Sequence, residues 1–204
     1  MKQSRLSSFV LLSLFIFSCS GCLFVSNSPT SKFYTLHSTG SLGENRQLEI
    51  APKLIVEIGP VDIPEYQNRP QIVTQDKNGM LKFAQFERWG EPLDSGIERL
   101  VLESLTELFP QAQFQMFPAD FSIPLDYQVL INVVKLENQL DKDVLFVAQW
   151  TIINSKTKVM LLTKRSEIRQ AISPHTYSGL TQALSKSCTL LSIEIAENLS
   201  RLLK

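Results

Sequence analysis

Apolar and polar residues alternate in several stretches of the chain, and this pattern predicts β-strands. Seven short runs are alternating or rich in β-branched residues, and each is bounded by proline, glycine or polar turn residues. Their predicted bounds are 32–37, 54–58, 72–75, 81–86, 127–136, 144–153 and 158–171. Residues 144–148 are apolar without interruption, which is typical of a central strand that is covered on both faces.

The third and fourth runs are separated by Asp76, Lys77, Asn78 and Gly79. Asn-Gly is a strong hairpin signal because both residues tolerate positive φ angles. The sequence therefore predicts that these two strands pair in the antiparallel sense.

Two longer segments repeat apolar residues with the spacing of an amphipathic helix. The first opens at Pro92 and ends before Pro110. Its predicted core stripe is Leu93, Ile97, Leu100, Val101, Leu105 and Leu108, and its opposite face carries Asp94, Glu98, Glu103 and Glu107.

The second helix is predicted to begin with Ser173 as N-cap and Pro174 at the first helical position. Its core stripe is Tyr177, Leu180, Leu184, Cys188, Leu191, Ile195, Leu199 and Leu202. Helices that follow runs of strands indicate an α+β fold. We expect a layered domain with a mixed, largely antiparallel sheet of about seven strands, packed by these two amphipathic helices.

The start of the chain has the pattern of a bacterial lipoprotein leader. Two basic residues open it, an apolar run occupies 9–17, and the small residues Ser20 and Gly21 precede Cys22. Small side chains admit the backbone to a signal peptidase, and the thiol of Cys22 accepts the diacylglyceryl group. We predict a signal peptide over 1–21, a lipidated N-terminus and tether over 22–31, and a folded domain over 32–204.

Two alternatives to lipidation at Cys22 stay open. Cys19 is a competing attachment point, but bulky Phe17 occupies a position where small residues are expected. The second alternative is an ordinary signal peptide or an uncleaved membrane anchor. A membrane span needs about 20 apolar residues, however, and serines interrupt this apolar run. Leu23 follows Cys22, whereas the known inner-membrane retention signal is an aspartate there. We therefore expect fatty chains such as palmitate to hold the protein in the outer membrane, facing the periplasm.

Charge and cysteine content exclude other classes of protein. The chain has 20 basic and 20 acidic residues. Since two of the basic residues lie in the leader, the mature part is slightly acidic, which argues against nucleic acid as a partner. Only Cys188 survives processing as a free thiol, so no internal disulfide can form. The sequence has no glycine-rich phosphate-binding loop and is not itself an ATP-hydrolysing engine.

No catalytic or metal chemistry is predicted. His37 and His175 are the only histidines, and neither has the spacing of a metal ligand. Asp141 and Asp143 occupy positions typical of a hairpin turn. We expect no metal, no cofactor and no catalytic residue.

Two sequence segments carry a resemblance to a known family. Residues 56–73 read VEIGPVDIPEYQNRPQIV, and residues 86–94 read FERWGEPLD and lead into the first predicted helix. With the leader, they closely resemble the ABC-type transport auxiliary lipoproteins, the PqiC-like family. The resemblance covers the mature chain from Phe33 to its end. The chain departs from the family at Cys19 and at Gly90, where relatives often carry Ala or Ser.

The resemblance implies a periplasm-facing lipoprotein that works with an MCE-type lipid transporter. In such systems an inner-membrane ABC permease and ATPase act with MCE-domain proteins to move lipid between the two membranes. The function expected here is non-enzymatic: tethering or docking the transporter at the outer membrane. One alternative is a periplasmic carrier that holds an acyl chain in its own groove. An envelope hydrolase is disfavoured because no nucleophile and base can be recognised.

The two resembling segments are the predicted partner-binding surface, with Tyr66, Arg69, Pro70 and Trp89 as candidates. Tyrosine and arginine are over-represented at interface hot spots. In the alternative interpretation, Arg69 hydrogen-bonds loop carbonyls and Tyr66 packs locally. For Trp89, capping the core is favoured over contact with a partner. The sequence leaves open whether copies of the domain assemble with one another.

Overall fold

The computed structural model describes residues 29–38, 40, 47–51, 53–120 and 124–203. The leader, Cys22 and most of the predicted tether lie outside these residues. The segment Ser31–Lys204 forms one compact unit.

The described part of the chain contains eight strands and two α-helices. In chain order they are β1 Lys32–Tyr34, β2 Ile55–Asp62, β3 Gln71–Gln75, β4 Leu81–Trp89, α1 Leu93–Leu108, β5 Gln113–Met116, β6 Tyr127–Asn138, β7 Asp143–Asn154, β8 Met160–Ala171 and α2 Tyr177–Leu202. A short 3₁₀ turn, Glu65–Gln67, lies between β2 and β3. All seven predicted strands are present, and β5 is an addition.

The strands divide between two sheets, with orders β1-β4-β3 and β5-β2-β6-β7-β8. The pairs β3–β4, β6–β7 and β7–β8 are antiparallel, and the last two are long hairpins. The pairs β1–β4, β2–β5 and β2–β6 are parallel. The predicted α+β layered class with mixed pairing is confirmed, and the division into two sheets is a feature that the alternation pattern does not encode.

The turn between β3 and β4 is organised by Asp76. Its carboxylate oxygen Oδ1 accepts hydrogen bonds from the backbone N–H groups of Asn78 at 2.8 Å and Met80 at 3.0 Å. Gly79 adopts φ +83°, a conformation that side chains disfavour. The antiparallel hairpin predicted at this point is confirmed.

Both helices contact the five-stranded sheet and each other, and the core lies between them. Residues 144–148 of β7 are buried on both faces, as expected of a covered strand. Trp150 is fully buried, and its Nε1–H donates to Ser166 Oγ at 2.8 Å. The Ser166 hydroxyl in turn donates to Glu194 on α2 at 2.6 Å. A buried indole N–H is thus satisfied through a short chain of polar groups.

The predicted start of the last helix is wrong by three residues. The N-cap is Thr176, whose hydroxyl accepts from the backbone N–H of Gly179 at 3.2 Å. Ser173 and Pro174 lie before the helix, and a Cβ on Gly179 would come within 2.0 Å of the Pro174 carbonyl oxygen. The chain therefore folds against the first helical turn at Pro174 instead of entering it. His175, which we expected in that turn, also precedes the helix and is exposed.

The predicted apolar stripes of both helices are buried, except that Tyr177 is half-buried and Leu202 is exposed, and one residue of the predicted solvent face is buried. Leu202 is 44 % exposed, and Leu203 takes the core position in its place. Glu98 was expected on the solvent face of α1 but is only 7 % exposed. Its carboxylate accepts a hydrogen bond from the backbone N–H of Phe117 at 2.7 Å, so a main-chain donor replaces water.

Candidate functional site

The two segments that resemble the lipoprotein family meet at one end of the three-stranded sheet. The backbone N–H of Trp89 donates to the carbonyl of Pro70 at 2.8 Å, and that of Gly90 donates to Tyr34 at 2.7 Å. These bonds close a cavity of about 310 Å³ lined by residues 68–70 of the first segment and 89–93 of the second. We call this cavity the signature groove.

Arg69 and Pro70 lie at the rim of the signature groove and are exposed. The Arg69 guanidinium carbon lies 4.4 Å from the centre of the Phe83 ring, within the range of a cation–π contact. Among the described carboxylates none forms an ion pair with Arg69. Arg69 therefore stacks on an aromatic ring, whereas the alternative interpretation placed it on loop carbonyls.

Tyr66 is half-buried and lies outside the signature groove. Its hydroxyl donates to the Leu136 carbonyl at 3.1 Å, and the Gln67 side chain donates to the same oxygen at 3.0 Å. Burial raises the pKa of the Tyr66 phenol above its ordinary value. Both side chains hold the 3₁₀ turn against β6, and this fixes the position at which Arg69 emerges.

Trp89 forms part of the core and also lines the signature groove. The side chain is 5 % exposed and packs in the core cluster. Its Nε1–H is buried and has no hydrogen-bond partner. A buried donor without an acceptor carries a cost in stability.

The wall of the groove on the α1 side is fixed by an ion-pair network. Arg99 donates to Glu91 at 2.6 Å and to Glu103 at 2.9 Å. It also donates to the carbonyl of Leu36 at 2.7 Å. The hydrogen bond to Glu91 is the main reason that the pKa of Arg99 lies above its ordinary value. The Glu91 carboxylate is thus bound to Arg99 of α1 and forms no ion pair with Arg69.

Gly90 lies between the end of β4 and the start of α1. A Cβ there would come within 3.0 Å of Thr35 Cγ2, closer than side chains normally approach. The glycine therefore lets β1 and the following residues lie directly beside the groove.

A second polar cluster, which the sequence did not reveal, holds the segment after β5. Glu57 and Glu98 are each 7 % exposed. Glu57 accepts from the backbone N–H of Ala119 at 2.8 Å, and Glu98 accepts from that of Phe117. Burial raises the pKa of Glu98 above its ordinary value, and the nearby charges of Asp94 and Glu57 raise it further.

Helical spacing was the signal that could have located Glu98 in the core. It precedes Val101, Leu105 and Leu108 by three, seven and ten residues, the spacing of one helix face. The charge of Glu98 favours a position on the solvent face, and the prediction followed the charge instead of the spacing. The result is a structural carboxylate on α1, close to the segment 117–119.

Other features of the described residues bear on chemistry. No three histidine, cysteine, aspartate or glutamate side chains there are arranged to hold a metal ion. No helix within the same residues has the length and hydropathy needed to cross a membrane. Cys188 is fully buried, and burial raises the pKa of its thiol to about 12. Cys22 lies outside the described part, so its lipidation stays a prediction.

The fold is shared with solved structures of low sequence identity. A crystal structure of an uncharacterised protein matches with a TM-score of 0.68 and 15 % identity, covering 84 % of this chain and 99 % of that one. A protein from Xanthomonas campestris matches with a TM-score of 0.65 and 11 % identity, covering 80 % and 92 %. PelC from Paraburkholderia phytofirmans, described as a dodecamer, has a TM-score of 0.45 at 13 % identity, covering 75 % and 90 %.

Among curated proteins none matches this chain in sequence. The family of ABC-type transport auxiliary lipoprotein components, by contrast, has a model that matches residues 34–196. This match spans both resembling segments, strands β2 to β8 and most of α2. The chain therefore belongs to the family of ABC-type transport auxiliary lipoprotein components.

Proposed function

We propose that this chain is a non-enzymatic outer-membrane lipoprotein that docks an MCE-type lipid transporter through its signature groove. Family membership makes it an auxiliary lipoprotein of an ABC-type transport system. The observation that carries the docking proposal is the meeting of the two family segments at one groove, with Arg69 on its rim forming no ion pair among the described residues. The partner is the MCE-domain protein that works with an ABC permease and ATPase.

The composition of the groove supports a peptide as the docked element. Pro70, Trp89, Pro92 and Leu93 supply apolar surface, and Arg69 supplies a positive charge at the rim. Such a site suits a short apolar segment followed by an acidic residue, because arginine and buried aromatic surfaces dominate interface energetics. An acyl anchor would confine the domain to one bilayer and raise its concentration near a partner that arrives from the other membrane.

Lipid carriage inside the domain is less well supported. A larger cavity of about 590 Å³ is lined by His37, Ser38, Gln170, Gln182 and Lys186 among others. These polar groups would lose hydration against an acyl chain, which costs free energy. The docking role is therefore the function that we propose.

Substitution of Asn68 tests the docking proposal. Asn68 lines the groove and is exposed, and its side chain makes no hydrogen bond among the described residues, so Asn68→Glu removes no hydrogen bond there and adds a negative charge that repels an acidic residue bound near Arg69. We expect it to weaken binding to the periplasmic part of the MCE-domain protein at least tenfold, measured by biolayer interferometry with the lipidated protein in nanodiscs.

The matched control is Asn132→Glu on β6, where the asparagine is also exposed. It should bind like the unchanged protein. Equal affinity of the Asn68→Glu protein and the unchanged protein would refute docking at this groove. So would an equal loss in both variants.

A further inference from the structure

Strand register shows which residues share one face of the three-stranded sheet. Phe33 lies opposite Arg88, and Arg88 lies opposite Gln71. Residues opposite each other on neighbouring strands point to the same side of a sheet. Val73 is two residues from Gln71 and so shares its side, and it lies opposite Phe83.

This side of the sheet points away from the core. Tyr34 and Ile72, the chain neighbours of Phe33 and Gln71, pack on the core side. Because neighbouring residues of a strand point in opposite directions, the first set faces outward. Val73 is fully buried and is not part of the exposed surface. We call Phe33, Gln71, Phe83 and Arg88 the outer sheet face.

The outer sheet face combines exposed aromatic rings with positive charge. Phe33 is 67 % exposed and Phe83 is 50 % exposed. Arg69 stacks on Phe83, and Arg88 has a buried Nε without a hydrogen-bond partner. Neither arginine is ion-paired within the described residues, and none of the residues that define the face is acidic. Exposed aromatic surface of this kind marks a binding site.

The predicted lipid anchor joins the domain at the same sheet. Lys32 begins β1 and precedes Phe33, and only the nine residues 23–31 separate it from Cys22. Fully extended, they span at most about 30 Å. The strand that bears Phe33 is thus the strand nearest along the chain to the bilayer.

We infer that the outer sheet face binds the headgroup region of the bilayer that holds the lipid anchor. Phe33 and Phe83 enter the boundary between headgroups and acyl chains, and Arg88 contacts lipid phosphates. Rings and basic side chains combine in this way at membrane interfaces, where anionic lipids attract the cations. The inference rests on the proposed function for the acyl anchor at Cys22, and it adds a second, non-covalent contact that orients the domain.

This contact would also place the signature groove. Arg69 belongs to the groove rim and stacks on Phe83 of the outer sheet face. A partner bound in the groove would therefore lie next to the lipid surface. That position suits the transfer of lipid between a transporter and this membrane.

Site-specific labelling of the lipidated protein tests the inference. Phe33→Cys and Phe83→Cys variants, with the native Cys188 buried and unreactive, carry the dye NBD in vesicles of phosphatidylethanolamine and phosphatidylglycerol. We expect a blue-shifted emission and at least threefold stronger quenching by doxyl-labelled lipid than for the control. The control is Met160→Cys, because Met160 is 69 % exposed and lies on the other sheet.

Several results would overturn the inference. Quenching at Phe33 and Phe83 no stronger than at Met160 would show that the face does not meet lipid. A dye response that follows protein density in the vesicle, and not the lipid quencher, would mean that a second copy covers the face. Mass spectrometry of the same sample shows whether the anchor is present. Docking to the MCE-domain protein is measured separately, so failure of the docking proposal would not be confused with failure here.

Discussion

Glu98 shows how one residue can depart from a clear sequence pattern. An acidic residue on the polar face of an amphipathic helix is usually solvated. The Glu98 carboxylate is instead buried, and it accepts a hydrogen bond from the backbone N–H of Phe117 at 2.7 Å. Glu57 likewise accepts a hydrogen bond from the backbone N–H of Ala119 at 2.8 Å. Two carboxylates on different elements thus hold one segment that has little apolar anchorage, since Phe117 is itself 44 % exposed.

Glu98 should make the stability of the protein depend on pH. The pKa of the folded carboxyl lies above its ordinary value of 4.5 because burial disfavours the charge. The folded state therefore binds this proton more tightly than the unfolded state, and the stabilisation is complete at low pH. It is lost as the pH rises through the pKa of the folded group. Glu98→Gln keeps an acceptor for Phe117 and should gain about 1 kcal/mol relative to the unchanged protein between pH 4 and pH 7, in urea unfolding.

A matched control for this experiment is Glu107→Gln, on the exposed face of the same helix. Its stability relative to the unchanged protein should not vary over that pH range. A constant difference for Glu98→Gln as well would show that Glu98 titrates normally in the folded state.

At the scale of elements, the start of α2 depends on a cap that the sequence pattern misassigned. Ser173 followed by proline is a good helix start in isolation, but the chain begins the helix at Thr176. Thr176→Ala should lower the free energy of unfolding by about 1 kcal/mol, because the N–H of Gly179 loses its acceptor. Ser173→Ala should change it by less than about 0.5 kcal/mol, as expected at an exposed site without a cap. Thermal unfolding of both variants measures these changes in the free energy of unfolding. A larger loss for Ser173→Ala than for Thr176→Ala would show that Ser173 is the N-cap.

Elements with local signals were predictable from the sequence, and those held by distant pairing were not. The hairpin at Asp76 and the two apolar helix stripes are encoded within a few residues of one another. Strand β5, Gln113–Met116, has only four residues and no clear alternation. It exists because it pairs in parallel with β2, more than fifty positions earlier in the chain. Such a partner cannot be read from a short window.

The candidate site was predictable to a similar degree. The two family segments and the burial of Trp89 followed from the sequence, but their meeting at one groove depends on the pairing of β4 with β1 and β3. Tyr66 was chosen for its residue type, and the structure places it against β6 instead. Residue type alone cannot distinguish a tyrosine that faces a partner from one that closes a loop.

At the scale of the whole molecule, the predicted anchor at Cys22 would decide where the domain acts. The described residues contain one free cysteine, Cys188, and it is buried. We expect Cys22→Ser to abolish incorporation of radiolabelled palmitate and to move the protein from the membrane fraction to the soluble fraction. Cys19→Ser should keep both label and membrane association. Retention of the label in the Cys22→Ser protein would assign lipidation to another residue.

The two tryptophans of this chain lie in different surroundings, and this has a practical consequence. Trp150 is sealed in the core with its N–H on Ser166, whereas Trp89 borders the signature groove with its N–H unpaired. Indole emission depends on local polarity and on nearby quenching groups. With Trp150 replaced by phenylalanine, the remaining fluorescence would originate from the groove alone. The molecule thus carries an intrinsic optical reporter beside the very surface where a partner is proposed to bind.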